Sequence, residues 1–253
     1  MPEGPSILIL KERIQELHLE GQKVLEVSGN SKIDQDRLLQ QKVIAFKSWG
    51  KHFLICFKDF TVRIHLMMFG TYRINEQKES VPRLRLQFKD DELNFYTCSV
   101  QLLEGPADDI YDWSADVLSD YWDSKAAVKK IKSQSDKLIC DLLLDQNIFA
   151  GVGNIIKNEV LYRMKVMPEN TAAAIPPKKL LAICDDARTY SFKFLEWKKA
   201  NVLKRNWLIY HKKQCPLNHT VTKDYLGKTK RQTFFCPVCQ KQYKNSSTKK
   251  EHA

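Results

Sequence analysis

The chain has 253 residues, of which 43% are hydrophobic, and its formal net charge is +11. This is enough apolar material for a sizeable core, in one large domain or in two or three small ones. The charge is unevenly spread, because residues 201–253 hold twelve Lys or Arg against two acids while the first 200 residues are nearly neutral. A basic C-terminal segment on a neutral body favours a polyanionic partner, of which nucleic acid is the usual one.

Several classes of protein are excluded. No apolar run approaches the ~18–20 residues of a membrane span, so no membrane partner is expected. The segment Met1-Pro2-Glu3-Gly4-Pro5 lacks the basic and apolar regions of a secretory signal. Four of the seven cysteines are scattered singly, as is usual for buried thiols in a reducing compartment. We therefore expect an intracellular protein.

The first half of the chain predicts one helix and then a sheet. Pro5 suits a first helical position, and apolar residues recur at helical spacing up to residue 18, so a helix is expected over residues 5–18. From residue 22 to residue 103 the period changes to two; Val62, Ile64 and Leu66 illustrate the alternation. This pattern is typical of an antiparallel sheet or sandwich.

The second half predicts helices followed by a small β module. After a break at Gly105-Pro106, the expected helices cover residues 114–122, 136–146, 154–164 and 177–198, the second one capped by Ser135-Asp136. The fold class is multidomain α+β. The predicted parts are a β domain (1–112), a helical domain (113–210), a zinc module with a β-hairpin (211–243) and a polar, frayed tail (244–253).

Three cysteines and a histidine near the C-terminus have the spacing of metal ligands. Cys215 and His219 form one pair, Cys236 and Cys239 form the other, and the sixteen residues between the pairs suffice for a hairpin that brings them together. Three thiolates and one imidazole complete a tetrahedral Zn²⁺ shell without an open position, so we expect one structural zinc and no catalytic metal. His211 is an alternative ligand. The hairpin tip, Lys228 to Arg231, is a candidate phosphate contact, unless it is only a solvated turn.

A glycine-containing turn separates two of the predicted helices. Gly151 and Gly153 permit a tight turn, and Asn154 is expected to cap the following helix, whose start suits a phosphate group. An ordinary helix–turn–helix junction would have the same pattern.

The N-terminus is a candidate nucleophile. If Met1 is removed, Pro2 becomes a terminal secondary amine, and an α-amino group with a pKa near ~8 is about one tenth neutral at pH 7. Its attack on a sugar C1′ gives a cationic iminium that acidifies the C2′ hydrogen and permits elimination of phosphate. Glu3 could move the protons. Without further context, the same residues are an ordinary leader into a helix.

Two turns in the β region have similar alternatives. Lys51 is either a solvated turn residue or an ammonium beside the nucleophile that lowers its pKa and holds a phosphate. The apolar residues Met67, Met68 and Phe69, which precede Gly70, belong either to the core or to a wedge that enters the base stack of DNA.

In this order, these motifs resemble the formamidopyrimidine-DNA glycosylase/endonuclease VIII family of DNA repair enzymes. Five stretches carry the resemblance: Met1-Pro2-Glu3-Gly4-Pro5, Gly50-Lys51, His65–Gly70, Leu144–Asn154 with its Gly-Val-Gly-Asn end, and Arg231–Cys236. The resemblance implies a β-sandwich with flanking helices, a helix–two-turn–helix domain and a zinc finger. It also implies a glycosylase that flips out and excises a damaged base and then nicks the strand by β,δ-elimination.

The resemblance also assigns roles by motif position. Pro2 would be the Schiff-base nucleophile, Glu3 the acid/base, and Lys51 an assisting residue at the lesion. Asn154 and Arg231 would hold the phosphates beside the flipped nucleotide, and Met67, Met68 and Phe69 would form the wedge. The expected partner is damaged double-stranded DNA, or single-stranded or bubble DNA, bound by a monomer.

Three departures from the family pattern refine this expectation. Ser6 replaces a frequent Glu, which keeps open a catalytically silent DNA-binding protein. Cys215 and His219 replace a Cys-x-x-Cys pair, a variant that some members resembling endonuclease VIII share. Residues 96–101 replace the Asp-x-Arg-Arg-Phe-Gly stretch of the formamidopyrimidine branch. The last departure favours the endonuclease VIII branch and oxidised pyrimidines as substrates, with an oxidised-purine enzyme as the alternative.

Overall fold

The computed structural model describes residues 2–244, which form two compact units, residues 2–113 and residues 114–244. Of the predicted tail, only Lys244 is among the described residues. No helix in the described part of the chain is both long and apolar enough to span a membrane.

The first unit begins with α1 (Gly4–Gln15), which places Pro5 in its first turn. Its buried residues Ile7, Leu10 and Ile14 recur at helical spacing, which confirms the predicted amphipathic helix. The helix begins one residue earlier and ends three residues earlier than predicted, before the turn at His18, where φ is +51°.

Eight strands follow and form two antiparallel sheets of four strands each, as the two-residue periodicity predicts. One sheet has the order β1-β6-β7-β5 and the other the order β2-β3-β4-β8. The strands are β1 (Glu26–Ser28), β2 (Ala45–Trp49), β3 (His52–Cys56), β4 (Phe60–His65), β5 (Thr71–Ile74), β6 (Leu84–Gln87), β7 (Glu92–Tyr96) and β8 (Ser99–Glu104). A short helix, α2 (Ala107–Ile110), comes next.

The apolar faces of these two sheets make one core. Phe53 of the second sheet lies 5.8 Å, ring centre to ring centre, from Phe95 of the first. Val62, Ile64, Leu84 and Leu86 are fully buried, in agreement with their alternation in the sequence. Each such side chain contributes roughly 1.5–3 kcal/mol through its burial.

The second unit contains four helices, and two predictions about them are wrong. The helix expected over residues 114–122 is a 3₁₀ turn (Trp113–Ala115) followed by irregular turns, and the helix lies later, at α3 (Ser124–Lys132). Asp123 caps α3 by accepting hydrogen bonds from Lys125 N and Ala126 N. The helix expected over residues 136–146 is only α4 (Ile139–Leu142), which Leu138 precedes in place of the expected Ser135-Asp136 cap.

The remaining elements agree with the sequence pattern. They are α5 (Asn154–Arg163), α6 (Pro177–Lys199), which begins at the predicted proline pair, and a hairpin of β9 (Thr222–Leu226) and β10 (Arg231–Phe235). The helices share a core that includes Phe149, Ile156 and Tyr190. The hairpin packs against α5.

Candidate nucleic-acid interface and metal centre

The residues predicted to form the nucleophilic end of the chain lie at the start of α1. Glu3 directly precedes the helix and is 0% exposed, while Pro2 is half-buried. The Glu3 carbonyl accepts a hydrogen bond from Ser6 N at 2.8 Å, which begins the first turn. Since α1 packs against β2 and β3, the N-terminal segment rests on the sheet whose first hairpin carries Lys51.

Lys51 lies in a two-residue turn between β2 and β3. Trp49 pairs with His52 across the turn, and Gly50 has a φ of +54°. A positive φ at the first of two turn residues is the pattern of a type II′ hairpin, in which glycine is favoured. The turn therefore fixes the Lys51 backbone at the end of a rigid ladder.

Two histidines beside Lys51 were not singled out in the sequence. His52 and His65 are opposite each other in the β3–β4 ladder, with ring centres 5.3 Å apart. Burial lowers the pKa of His52 to about 3, with further lowering by the charges of Arg63, His65 and Lys51. Burial and the charges of Lys51 and Arg63 also lower the pKa of His65. Both imidazoles are therefore neutral at pH 7 and add polar, uncharged groups to a cationic turn.

The apolar turn between β4 and β5 points into solvent. Met67 is 49% exposed, Met68 50% and Phe69 77%, while the preceding Leu66 is buried. A side chain at Gly70 would collide with the Leu66 carbonyl, so glycine closes this turn. Of the two interpretations, core and protruding apolar tip, the exposure excludes the core for these three residues.

The turn between β7 and β8 is also short. Only Thr97 and Cys98 separate the two strands, and Thr97 has a φ of +51°. Tyr96 and Cys98 are buried, so this turn offers neither an arginine nor a protruding aromatic ring.

In the second unit, one glutamine organises the glycine turn before α5. The Gln146 amide group donates to the carbonyls of Leu144 and Val152 and accepts from Gly151 N. Gly151 has a φ of +96°, which requires glycine here. These bonds fix the backbone between Leu144 and Val152, so the turn before α5 depends on Gln146 and Gly151.

Asn154 does not cap α5 as the sequence suggested. Gly153 is the N-cap residue and Asn154 is the first helical residue. Its side-chain nitrogen donates instead to the Gln232 carbonyl at 2.8 Å. The asparagine thus ties the start of α5 to the hairpin that carries Arg231.

Three further α5 side chains bind the same module. Lys157 Nζ donates to Thr233 Oγ1 at 2.8 Å, and Asn158 Oδ1 accepts from Phe234 N at 2.8 Å. The Glu159 carboxylate, fully buried, accepts from the backbone N–H groups of residues 208, 209 and 210 at 2.8–3.1 Å. One face of α5 therefore fixes both the entry into the module and its second strand.

The hairpin tip is held from a second helix. Asp141 of α4 accepts hydrogen bonds from Lys228 N at 3.0 and 2.9 Å, and a side chain at Gly227 would collide with this carboxylate. Lys228, Lys230 and Arg231 are exposed. A rigid tip with three exposed cations suits the oxygen atoms of a phosphate backbone.

The four predicted metal ligands come together. The ligand atoms of Cys215, His219, Cys236 and Cys239 all lie within 4.8 Å of one another. Sγ of Cys215 is 3.8 Å from Sγ of Cys239, and two sulfurs bound at about 2.3 Å to a tetrahedral zinc lie about 3.8 Å apart. The cluster therefore fits one metal ion. The alternative ligand, His211, is not part of it, because its ring packs against Tyr210 and Phe234.

Comparison with protein families accounts for most of the chain. Residues 1–99 match the formamidopyrimidine-DNA glycosylase N-terminal domain, and residues 114–202 match the formamidopyrimidine-DNA glycosylase H2TH domain.

Curated relatives are endonuclease 8-like proteins. Endonuclease 8-like 3 of Mus musculus is 30% identical over 203 residues, which cover 76% of this chain and 34% of that protein. Endonuclease 8-like 2 of Bos taurus is 31% identical over 71% of this chain and 58% of its own length. A protein of Acanthamoeba polyphaga mimivirus, also endonuclease 8-like, is 27% identical over 95% of this chain and its whole length. The chain thus spans about a third of the length of the Mus musculus relative and about three fifths of the length of the Bos taurus relative.

Solved structures share the fold. A viral DNA glycosylase superposes with a TM-score of 0.81 at 24% identity, covering 94% of this chain and 100% of the other. The formamidopyrimidine-DNA glycosylase of Lactococcus lactis, solved on DNA containing an AP site, has a TM-score of 0.82 at 22% identity and covers 95% and 100%. The predicted α+β fold class is confirmed. The family models, the relatives and the motifs together show that this chain belongs to the formamidopyrimidine-DNA glycosylase/endonuclease VIII family, on its endonuclease VIII-like branch.

Proposed function

We propose that this protein is a bifunctional DNA glycosylase/AP lyase of base excision repair. The observation that carries the proposal is the N-terminal Pro2-Glu3 pair, which directly precedes α1, the helix that packs against the sheet carrying Lys51. After removal of Met1, the Pro2 nitrogen bonds to C1′ of the damaged nucleotide while the base leaves with a proton. Opening of the sugar ring gives the iminium. Loss of the C2′ proton then expels the 3′ phosphate, and δ-elimination expels the 5′ phosphate.

The other site residues hold the DNA. Asn154 and Arg231 bind phosphates that flank the flipped nucleotide, and the exposure of Arg231 supports this. Lys51 assists catalysis at the lesion. Glu3, buried beside the nucleophile, handles the protons. Met67, Met68 and Phe69 fill the space left in the base stack, since an exposed apolar turn of this kind costs solvation energy unless it is covered by a partner.

The substrates are mainly oxidised pyrimidines. The short Thr97-Cys98 turn supports this choice, because it lacks the arginine and phenylalanine with which the formamidopyrimidine branch reads the opposite strand. Relative excision of thymine glycol and 8-oxoguanine from matched duplexes decides between the two branches. Faster excision of 8-oxoguanine would favour the oxidised-purine alternative. The same lesions in single-stranded and bubble DNA measure how much the opposite strand matters.

A single structural zinc holds the hairpin. The tetrahedral spacing of Cys215 and Cys239 and the burial of Cys215 and Cys236 support a closed site without a position for substrate. We expect the protein to act as a monomer on the cell's own DNA and therefore inside the cell.

Borohydride trapping on abasic DNA tests the chemistry. An active enzyme becomes covalently linked to the DNA. Pro2→Gly loses most of the adduct, because the primary amine of glycine gives a neutral imine that must first be protonated, whereas the secondary amine of Pro2 gives a cationic iminium directly. The control is a chain that keeps a short N-terminal extension, which folds and binds DNA but has no terminal amine at Pro2. A protein that binds DNA tightly but is never trapped would be the catalytically silent alternative, for which Ser6 is the motivation. Mass spectrometry that finds Met1 retained in fully active protein would contradict the mechanism.

A further inference from the structure

Lys157 is a buried cation that the roles above do not use. It lies in the middle of α5 and is 1% exposed. Removing an ammonium group from water costs much of its hydration energy, and an apolar side chain of similar length would fill the same space at lower cost. The position is therefore poorly explained by packing alone.

A chain of hydrogen bonds leads from Lys157 to the backbone of Arg231. Lys157 Nζ donates to Thr233 Oγ1 at 2.8 Å, and Thr233 Oγ1 donates to the Arg231 carbonyl at 2.9 Å. The direction is fixed, because an ammonium group only donates and the hydroxyl then has a single hydrogen to give. A charged donor strengthens the first bond, and polarisation of the hydroxyl strengthens the second.

These hydrogen bonds restrain the backbone of Arg231, the residue of the hairpin tip proposed to bind a DNA phosphate. Arg231 is the first residue of β10, next to Lys230 with its φ of +45°, and its side chain is exposed. The neighbouring Gln232 carbonyl is bound by Asn154. The carbonyls of residues 231 and 232 are thus both held, one through Thr233 and one directly, by side chains of α5. A guanidinium group that must meet a phosphate in a fixed orientation gains affinity when its backbone is restrained beforehand.

We infer that Lys157 is a positioning residue for DNA binding, which acts through the Thr233 hydroxyl to orient Arg231 towards a DNA phosphate. The inference rests on the proposed function, in which Arg231 contacts the DNA backbone. It adds a buried residue and a hydroxyl that touch no DNA themselves.

Thr233→Val tests this relay without changing charge or side-chain volume, and Thr233→Ser is its matched control because it keeps the hydroxyl. The measurement is the affinity for a duplex with a stable abasic-site analogue over a range of salt concentrations. Thr233→Val and Lys157→Met should each weaken binding about fivefold, the equivalent of one net hydrogen bond of about 1 kcal/mol. Thr233→Ser should bind within about twofold of wild type.

The double variants separate positioning from general stability. Arg231→Ala should weaken binding and lower the salt slope by about one charge. In the Arg231→Ala background, Thr233→Val should cost less than about twofold, because the residue it positions is gone. A merely structural role would lower the unfolding temperature and the affinity equally in both backgrounds. Zinc content and unfolding temperature are measured for every variant.

Three results would overturn the inference. The first is a double variant whose loss of affinity equals the product of the losses in Thr233→Val and Arg231→Ala. The others are equal losses of affinity in Thr233→Ser and Thr233→Val, and a salt slope that Arg231→Ala leaves unchanged. Each of these results leaves the proposed function open, because that function is tested separately by borohydride trapping through Pro2. Conversely, a wild-type protein that is never trapped but shows the predicted non-additivity would refute the proposed catalysis and support the relay.

Discussion

Replacing Glu159 by alanine should release residues 208–210, which lead into the predicted zinc module. The carboxylate accepts hydrogen bonds from three consecutive backbone N–H groups, at residues 208–210, with N···O distances from 2.8 to 3.1 Å. Glu159 and Ile209 are fully buried, whereas Leu208 and Tyr210 are half-buried. Water can therefore replace the lost acceptor at two of the three amides more easily than at Ile209.

The expected loss of stability follows from this difference. A buried donor left without a partner costs about 1–3 kcal/mol. With about 2 kcal/mol for Ile209 N and about 1 kcal/mol for each of the other two, the sum is about 4 kcal/mol. Relief of the buried charge offsets part of it, so we expect a net loss of about 3 kcal/mol for Glu159→Ala. Glu159→Gln keeps one acceptor oxygen and should cost less than about 1 kcal/mol.

The assay is unfolding in urea at pH 7. Release of zinc is monitored during unfolding, because it reports the predicted zinc module itself. Glu169→Ala is the matched control, because Glu169 is an exposed carboxylate shortly after the same helix and its removal should change stability by less than about 0.5 kcal/mol. Equal midpoints for Glu159→Ala and Glu169→Ala would refute the assigned role of the three hydrogen bonds.

The pH dependence gives a second test of the same group. Burial raises the pKa of Glu159, although the backbone N–H groups of residues 208–210 act in the opposite direction. A raised pKa means that the folded state binds its proton more tightly than the unfolded state does. The stability of wild type relative to Glu159→Gln should therefore fall as the pH rises from about 4.5 through the raised pKa. A difference that increases with pH would contradict this sign.

Three further predictions concern the metal, the wedge and a histidine. Cys236→Ser should lose the metal and strand nicking, and retention of both would disprove its assignment as a ligand. Phe69→Ala should leave the unfolding temperature unchanged, since the side chain is 77% exposed, but should lower base excision from duplex DNA about tenfold or more. Val81→Ala, at 66% exposure in the same unit, is the control, and equal excision by both variants would argue against a wedge. His52, whose pKa is about 3 in the folded state against 6.5 in the unfolded state, should make stability rise with pH across that window. His52→Phe should flatten this part of the curve of stability against pH, and an unchanged curve would contradict it.

Two wrong predictions, the position of α3 and the cap of α5, come from local patterns that fit more than one structure. α3 has Lys at four of its nine positions and buries only Ala127 and Ile131, so its apolar periodicity is weak, and the Asp123 cap was the better signal. Asn154 follows two glycines and fits an N-cap, but a shift of one residue placed it inside the helix. There its amide binds the hairpin 78 residues away in sequence. Helix caps are uncertain by about one residue in any sequence pattern.

The motifs by themselves determined the family, the sandwich, the start of α1, the glycine turn and the cluster of three cysteines and one histidine that could hold a metal ion. Each depends on residue type and short spacing: a buried face recurs every three to four or every two residues, φ near +96° at Gly151 requires glycine, and a tetrahedral ion requires four suitable donors. Only the tertiary structure revealed the His52–His65 pair, the bond from Lys157 to Thr233 and the bonds from residues 208–210 to Glu159. Such contacts depend on strand register and on which helix face meets which strand. Strand register and the contacting helix face are decided by the packing of the whole core. A buried charge such as that of Glu159 is tolerated only where residues distant in the sequence supply its hydrogen bonds, so a local pattern cannot predict it.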